Sequence, residues 1–297
     1  MHTIYSYTSQ VDQYCCRYYL AGVERFQQIR LGPLDGYVMS RVDGVMSARE
    51  ILQLFSIGLV RLNIDGSIVR DANGAPVPTY DEDVVKGFAQ AFTGWSSGMG
   101  RNFHDIDVNV EANWFTPMKS YPAYHSTGDK LLLDSFVLPA GGTPESDLEA
   151  AIDNVFNHPN VGPFVCRQLI QRLVTSNPSP AYISAVASTF NNNGAGVRGD
   201  LRAVVRAILL HPEARDPALG ANGRFGKQRE PVLRFANFLR GLGARSANGL
   251  NSVHELDGSD NSLGQSPMLA PTVFNFYSFD YAPQPGQQVV IGPLPCL

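Results

Sequence analysis

From residue 47 onward the chain repeats one local grammar: a capping residue, an apolar stripe at i, i+3, i+4 spacing, then a glycine or proline stop. Ser47-Ala-Arg-Glu50 reads as a capping box, since the serine hydroxyl can accept the amide three residues on while the glutamate reaches back. Ile51, Leu54, Phe55 and Leu59 follow as its stripe, with Gly58 as a stop. Thr79-Tyr-Asp-Glu82 reads as a second capping box, opening a helix with Val84, Val85, Phe88, Ala89 and Phe92 on one face and Gly94 at its end. Pro144, Pro163, Ser179-Pro180, Asp200 and Pro231 each open a further stripe. Each such helix must bury its stripe against another. The pattern therefore predicts a mainly α fold, a multi-helix globular domain.

Two stretches break the pattern. Residues 60–78 carry Asp65-Gly66 and Asn73-Gly74, both turn signals between strand-like residues, and predict a small β-hairpin insertion. Residues 95–142 show no period and read as a long irregular loop, which in a compact protein is either functional or partly structured. Residues 244–263 are a polar loop, and the tail from Gly264 is rich in Pro and aromatics and reads as an extended cover.

Composition narrows the function classes. A net charge of −4 offers no concentration of Lys and Arg to neutralise phosphates, so nucleic acid is not an expected partner. No apolar run approaches the ~20 residues of a membrane helix. Residues 1–19 lack the positive start and apolar core of a signal peptide. Cys15, Cys16, Cys166 and Cys296 form no C-x-x-C pair, and Cys166 sits in a helical stripe as a small buried hydrophobe.

Several motifs suggest chemistry and fail on context. Gly194-Ala-Gly196-Val-Arg-Gly199 matches a dinucleotide fingerprint, but a helix rather than a strand precedes it. Arg198-Gly199-Asp200 spells an adhesion tripeptide, yet Asp200 already caps a helix. His104-Asp105-Ile-Asp107-Val-Asn109 resembles the start of a calcium loop, but Val110 stands where glycine is needed and Thr116 where glutamate is needed. A looser metal site built from His104, Asp105, Asp107 and His125 is the candidate that survives. His158-Pro159 and His211-Pro212 lie at helix ends, where a histidine is expected to bond terminal carbonyls. Arg167, Gln168, Gln171, Arg172, Arg202, Arg206 and Arg215 could frame an anion site, although solvated helix faces explain them.

Taken together, Ala48 to Gly58, Asp83 to Phe92 with Thr93-Gly94-Trp95, His158 to Phe164, Arg167 to Pro178, Gly196 to Leu201 and Ala270 to Phe276 resemble the bacterial family known as domain of unknown function 1800. The resemblance covers roughly residues 46–285. It implies a mainly helical bacterial protein, commonly exported or periplasmic and often encoded beside a sulfatase-like protein, a candidate partner. No cofactor and no catalytic residues come with it. Residues 1–45 match poorly and read as the remnant of a missing helical layer, leaving 46–297 as the helical domain. On that reading the chain is a fragment, and Leu54, Phe55, Phe88 or Phe92 should be exposed.

Two functional classes follow. One is a non-catalytic exported accessory or binding protein of a bacterial envelope. The other is a hydrolase-like enzyme with its site in the loop 95–142, using His104, His125 or nearby carboxylates. A pocket with converging polar side chains beside that loop favours the enzyme, and a broad aromatic patch without one favours binding.

Overall fold

Ile51–Ser56 winds as a π-helix, and its pitch decides which side chains are buried. The amides of Ile57 and Gly58 both reach back to the Leu52 carbonyl, and the Ser56 hydroxyl donates to the Ile51 carbonyl at 2.6 Å. This wider turn rotates the apolar face. Leu52, Ser56 and Ile57 are buried, whereas Leu59, expected in the stripe at 3.6 residues per turn, is exposed. Gly58 ends the turn at φ +72°, as its position in the sequence suggests.

A computed structural model describes residues 48–105, 117–220, 225–247, 256–258, 262–266, 269–272 and 275–281. The expectations for residues 1–45, for Ser47 and for Asp107 lie outside these. The described residues are mainly helical with two small antiparallel strand pairs. Among them no helix is long and apolar enough to cross a membrane. They fall into two compact units, the larger comprising the described residues up to Arg167 together with Ser179–Ala207.

In the larger unit, residues 60–78 form no helix. Bridges Val60↔Pro78, Leu62↔Ile68 and Arg70↔Pro76 join three short segments around turns at Gly66 and Gly74. Asp65 and Asp71 close those turns by accepting the amides of Ser67 and Asn73 at 2.9 Å each. The ladder is held from outside by Asn160. Its amide donates to the carbonyls of Ile57 and Val60 and accepts the Leu62 amide, each at 2.8 Å.

Helix α1, Glu82–Ala91, starts later than the box at Thr79 suggests. Asp81 is the cap, accepting the amides of Asp83 and Val84, while the Thr79 hydroxyl donates to the Gly58 carbonyl. An aspartate one residue before the helix supplies a charged acceptor where the dipole is positive, which displaces the threonine. The predicted face is correct: Val84, Val85, Phe88, Ala89 and Phe92 are all buried. Phe88 and Phe92 are therefore covered, while Leu54 and Phe55 are half-buried.

The loop 95–142 is partly structured. Strand β1 (Trp95–Ser96) pairs with β2 (Lys119–Ser120), and β3 (Lys130–Leu131) pairs with β4 (Val137–Leu138). β3 packs directly on α1 at Gly87, where a side chain would strike the Leu131 backbone. Helix α2 (Pro144–Asn157) follows, opened by a Thr143–Ser146 capping box, and packs on α1 and on the π-helix. Next come α3 (Val161–Leu173), α4 (Pro180–Asn191) and α5 (Leu201–Leu210). Ser179 and Asp200 cap α4 and α5 as expected. Cys166 is fully buried, and burial pushes its thiol up to about 12.

The glycine-rich run 194–199 is a turn between α4 and α5, with Gly194, Gly196 and Gly199 all at positive φ. Arg198 of the tripeptide is occupied. It donates to the carbonyls of Phe156 and His158 and to Asn191, and its guanidinium lies over the Phe156 and Phe190 rings.

The smaller unit contains α6 (Pro212–Arg215), α7 (Pro217–Gly220) and α8 (Pro231–Gly241). Glu230 is buried there and accepts the Tyr277 amide, and Gln265 accepts the Val232 amide at 3.1 Å. Both histidines expected to bond the carbonyls ending a helix do otherwise. Nδ1 of His158 accepts the Asn160 amide and Nδ1 of His211 accepts the Glu213 amide. Each serves the helix that follows, because proline at the next position removes one amide and leaves the one beyond it facing the ring.

Candidate functional site: a buried ion cluster and an open cleft

The irregular loop brings two groups of polar side chains to α2. The first is sealed. His125 leaves a short 3₁₀ turn, Pro122–Tyr124, and enters the interior against Gly94. Its Nε2 lies 3.0 Å from Asp147 Oδ2, and its Nδ1 lies 2.9 Å from the Thr93 carbonyl. Lys130, from β3, places its ammonium 2.7 Å from the same Asp147 oxygen and 3.0 Å from the Gly128 carbonyl. The side chains of Lys130, His125 and Asp147 are 0%, 2% and 5% exposed.

A charge that deep survives only if paired and hydrogen-bonded. Burial alone would push the Asp147 carboxyl up, but the bonds from Lys130 and His125 outweigh it and hold the carboxyl below the usual range. Gly142 completes the seal, because a Cβ there would lie 2.0 Å from Asp147 Oδ1. The cluster holds no hydroxyl or thiol nucleophile, its His125 and Lys130 ends are further bonded to the Thr93 and Gly128 carbonyls, and all three side chains are closed to solvent.

The second group is open. Asp134, Phe136, Ala150, Asp153, Asn154, Asn157 and His158 line a cleft of about 430 Å³. Asp134 and Ser135 are both left-handed, at φ 54° and 60°. Two successive non-glycine residues in that region carry strain that the surroundings must over-determine. The surroundings do so. Asn154 clamps Leu133 by accepting its amide at 3.0 Å and donating to its carbonyl, and Leu132 donates to the Phe136 carbonyl at 2.7 Å. Arg61, from the bridged ladder, then grips Asp134 Oδ1 at 2.7 Å. Oδ2 is thereby turned towards His158, whose Nε2 lies 3.9 Å away.

His158 is the most constrained member of the cleft. Its side chain is 1% exposed, and among the described residues Nε2 has no hydrogen-bond partner. Because Nδ1 accepts the Asn160 amide, the neutral ring carries its proton on Nε2. Burial pushes the imidazole pKa down against the opposing pull of Asp134, so the neutral form prevails at pH 7. Nε2–H is thus a buried donor without a hydrogen-bond partner among the described residues, 3.9 Å from a carboxylate oxygen.

The sequence-derived metal residues do not assemble into this arrangement. His104 packs edge-on against Phe103 and Tyr124, Asp105 binds the amide and guanidinium of Arg101, and His125 belongs to the sealed cluster. Asp107 lies outside the described residues, among which no group of three or more His, Cys, Asp or Glu side chains is placed to hold a metal. The anion-site candidates Arg167, Arg202, Arg206 and Arg215 are exposed, and Gln171 is instead buried and donates to the Ser176 carbonyl.

Sequence reasoning passed over Asp134, Phe136, Asp153 and Lys130. Nothing local marks them, since the left-handed turn at 134–135 arises from clamps by Asn154 and Arg61, which are distant in sequence. A buried lysine amid Gly128-Asp129-Lys130 likewise reads as an ordinary loop cation.

A family model described as protein of unknown function (DUF1800) matches residues 47–288, which is most of the chain and includes both groups. No curated protein and no solved structure matches significantly. The chain therefore belongs to the DUF1800 family of proteins of unknown function.

Proposed function

We propose that this protein is a non-catalytic accessory or binding protein, exported to a bacterial envelope, that holds its ligand in the cleft between the 133–136 turn and α2. One observation carries the reading. The His125–Asp147–Lys130 cluster is closed to solvent, while the cleft presents the half-exposed ring of Phe136 and the half-exposed carboxylate of Asp134. A polar-lined cleft beside the 95–142 loop would by itself favour the hydrolase-like alternative; the binding reading is preferred because the cleft's lining, among the described residues, holds no hydroxyl or thiol nucleophile, Asp134 is paired with Arg61, and Asn154 is spent on Leu133. A sulfatase-like protein is a candidate partner on the resemblance alone.

The test is to incubate the purified protein with chromogenic esters, sulfates, phosphates and glycosides, and separately to sediment it with washed envelope polymer. Retention on the polymer that Phe136→Ala weakens, with no turnover, is the expected result. Turnover abolished by Asp134→Asn or His125→Ala would overturn the reading in favour of the hydrolase-like enzyme.

A further inference from the structure

Helix α8 differs from α1 in that none of its residues is buried. Val232, Phe235, Ala236 and Leu239 recur at i, i+3, i+4 and i+7 and form its half-buried stripe. Phe238 and Leu242 lie off that stripe, and they are 62% and 67% exposed. Their spacing of one helical turn puts them on one face, and Arg234 precedes Phe238 there by the same step. Arg240, two residues after Phe238, falls on the opposite side of the helix. Single bare apolar side chains are ordinary on a protein surface, but two large ones in line, continued by an arginine, form a surface of mixed apolar and basic character.

The chain's net charge of −4 conceals a local reversal. Residues 225–247 hold five basic side chains, Lys227, Arg229, Arg234, Arg240 and Arg245, and one carboxylate, Glu230. All four arginines are exposed. Glu230 is buried and accepts the Tyr277 amide, while Asp280 offsets part of the Lys227 charge. The surroundings of Phe238 and Leu242 are therefore positive, and such a field draws in a partner that carries anions.

Three occupants could cover such a face. A second copy docked through a twofold axis would set the face against itself and bring like charges together. A nucleic acid would engage the arginines and leave Phe238 and Leu242 without an apolar partner. An anionic bilayer takes both, because the acyl boundary receives the apolar side chains while headgroup phosphates pair with the guanidinium groups. We infer that α8 docks on an anionic lipid surface, lying along the headgroup plane with Phe238 and Leu242 inserted and Arg234 among the phosphates. Arg229 and Arg245, beyond either end of the helix, supply the surrounding positive field. Two side chains bury little apolar area, so the attachment is peripheral and reversible. The inference does not rest on the cleft.

The experiment is co-sedimentation of the full chain with large vesicles, either of equal parts phosphatidylglycerol and phosphatidylethanolamine or of phosphatidylcholine alone. Phe238 and Leu242 are exposed and glutamine is a good helix former, so Phe238→Gln and Leu242→Gln should keep the fold, checked by an unchanged circular-dichroism melt. The protein should pellet with the anionic vesicles and not with phosphatidylcholine, and salt at about 0.5 M should release it. Each apolar substitution should weaken binding about fivefold or more, Arg234→Gln about fivefold, and Arg240→Gln by less. No pelleting with anionic vesicles, pelleting that both apolar substitutions leave unchanged, or equal losses from the two arginine substitutions would overturn the inference. In the absence of vesicle binding, a dimer split by Phe238→Gln would assign the face to a second copy, and capture of a DNA duplex would assign it to nucleic acid.

Discussion

Replacing Gly87 by alanine sets two effects of opposite sign against each other. Gly87 lies inside α1, where glycine costs about 0.5–1 kcal/mol relative to alanine, so propensity alone makes the substitution stabilising. The contact with β3 reverses this. A Cβ at residue 87 would lie 1.8 Å from the Leu131 carbonyl oxygen, 2.7 Å from its carbon and 2.9 Å from its nitrogen. Ordinary contact begins near 3.4 Å, and the obstacle is backbone rather than the end of a side chain. Over-packing of this kind costs about 1–3 kcal/mol. Moving β3 away from α1 also pulls Lys130 from Asp147, where loosening a buried pair adds to the cost. The net expectation is a loss of about 2–4 kcal/mol, or about 3–6 °C in Tm for a chain of 297 residues. Urea unfolding followed by circular dichroism measures it. Gly241→Ala is the control, because nothing lies within 4 Å of its Cβ position, and it should be neutral or slightly stabilising. A Gly87→Ala protein as stable as the parent would refute the close approach of β3 to α1.

Two further outcomes follow from the buried polar groups. Lys130→Met should cost about 3–5 kcal/mol in urea unfolding, because it leaves the Asp147 carboxylate buried with only His125 and a long 3.4 Å contact from the Ser146 hydroxyl as side-chain partners among the described residues, and a cost below ~1 kcal/mol would show that the pair is solvated. His158, whose pKa burial holds below the ordinary imidazole value of 6.5 in the folded chain, binds a proton more readily in the unfolded chain. Its contribution to stability is therefore full above about pH 6.5 and is lost as pH falls towards the folded pKa, so Tm should decline over that window and His158→Gln should flatten the decline.

The architecture was legible in the sequence because most of its signals are local. The buried face of α1, the hydroxyl and carboxylate caps of α4 and α5, and the turn residues of the 60–78 ladder are fixed by neighbours within four positions. Where local reading failed, a longer-range or subtler competitor won. A π pitch re-aimed the 51–59 stripe, Asp81 outcompeted Thr79 as a cap, and His158 turned to the amide of Asn160 instead of a terminal carbonyl. The cleft was illegible for the same reason. Its carboxylate is aimed by Arg61, 73 residues away, and its donor is defined by an unsatisfied nitrogen that only packing creates. His125 was singled out for metal binding, and its chemistry is taken up by Lys130 and Asp147, a pairing that no spacing rule links to it.

The claim on which the account depends is that the free protein holds a buried, neutral His158 with its proton on Nε2, 3.9 Å from the Asp134 carboxylate. A long-range ¹H–¹⁵N correlation spectrum of the histidine side chains at pH 7, with His158 assigned by comparison with His158→Gln, measures this directly. The account predicts a neutral Nε2–H tautomer that titrates below 6.5. A proton on Nδ1, or a charged ring at pH 7, would contradict it.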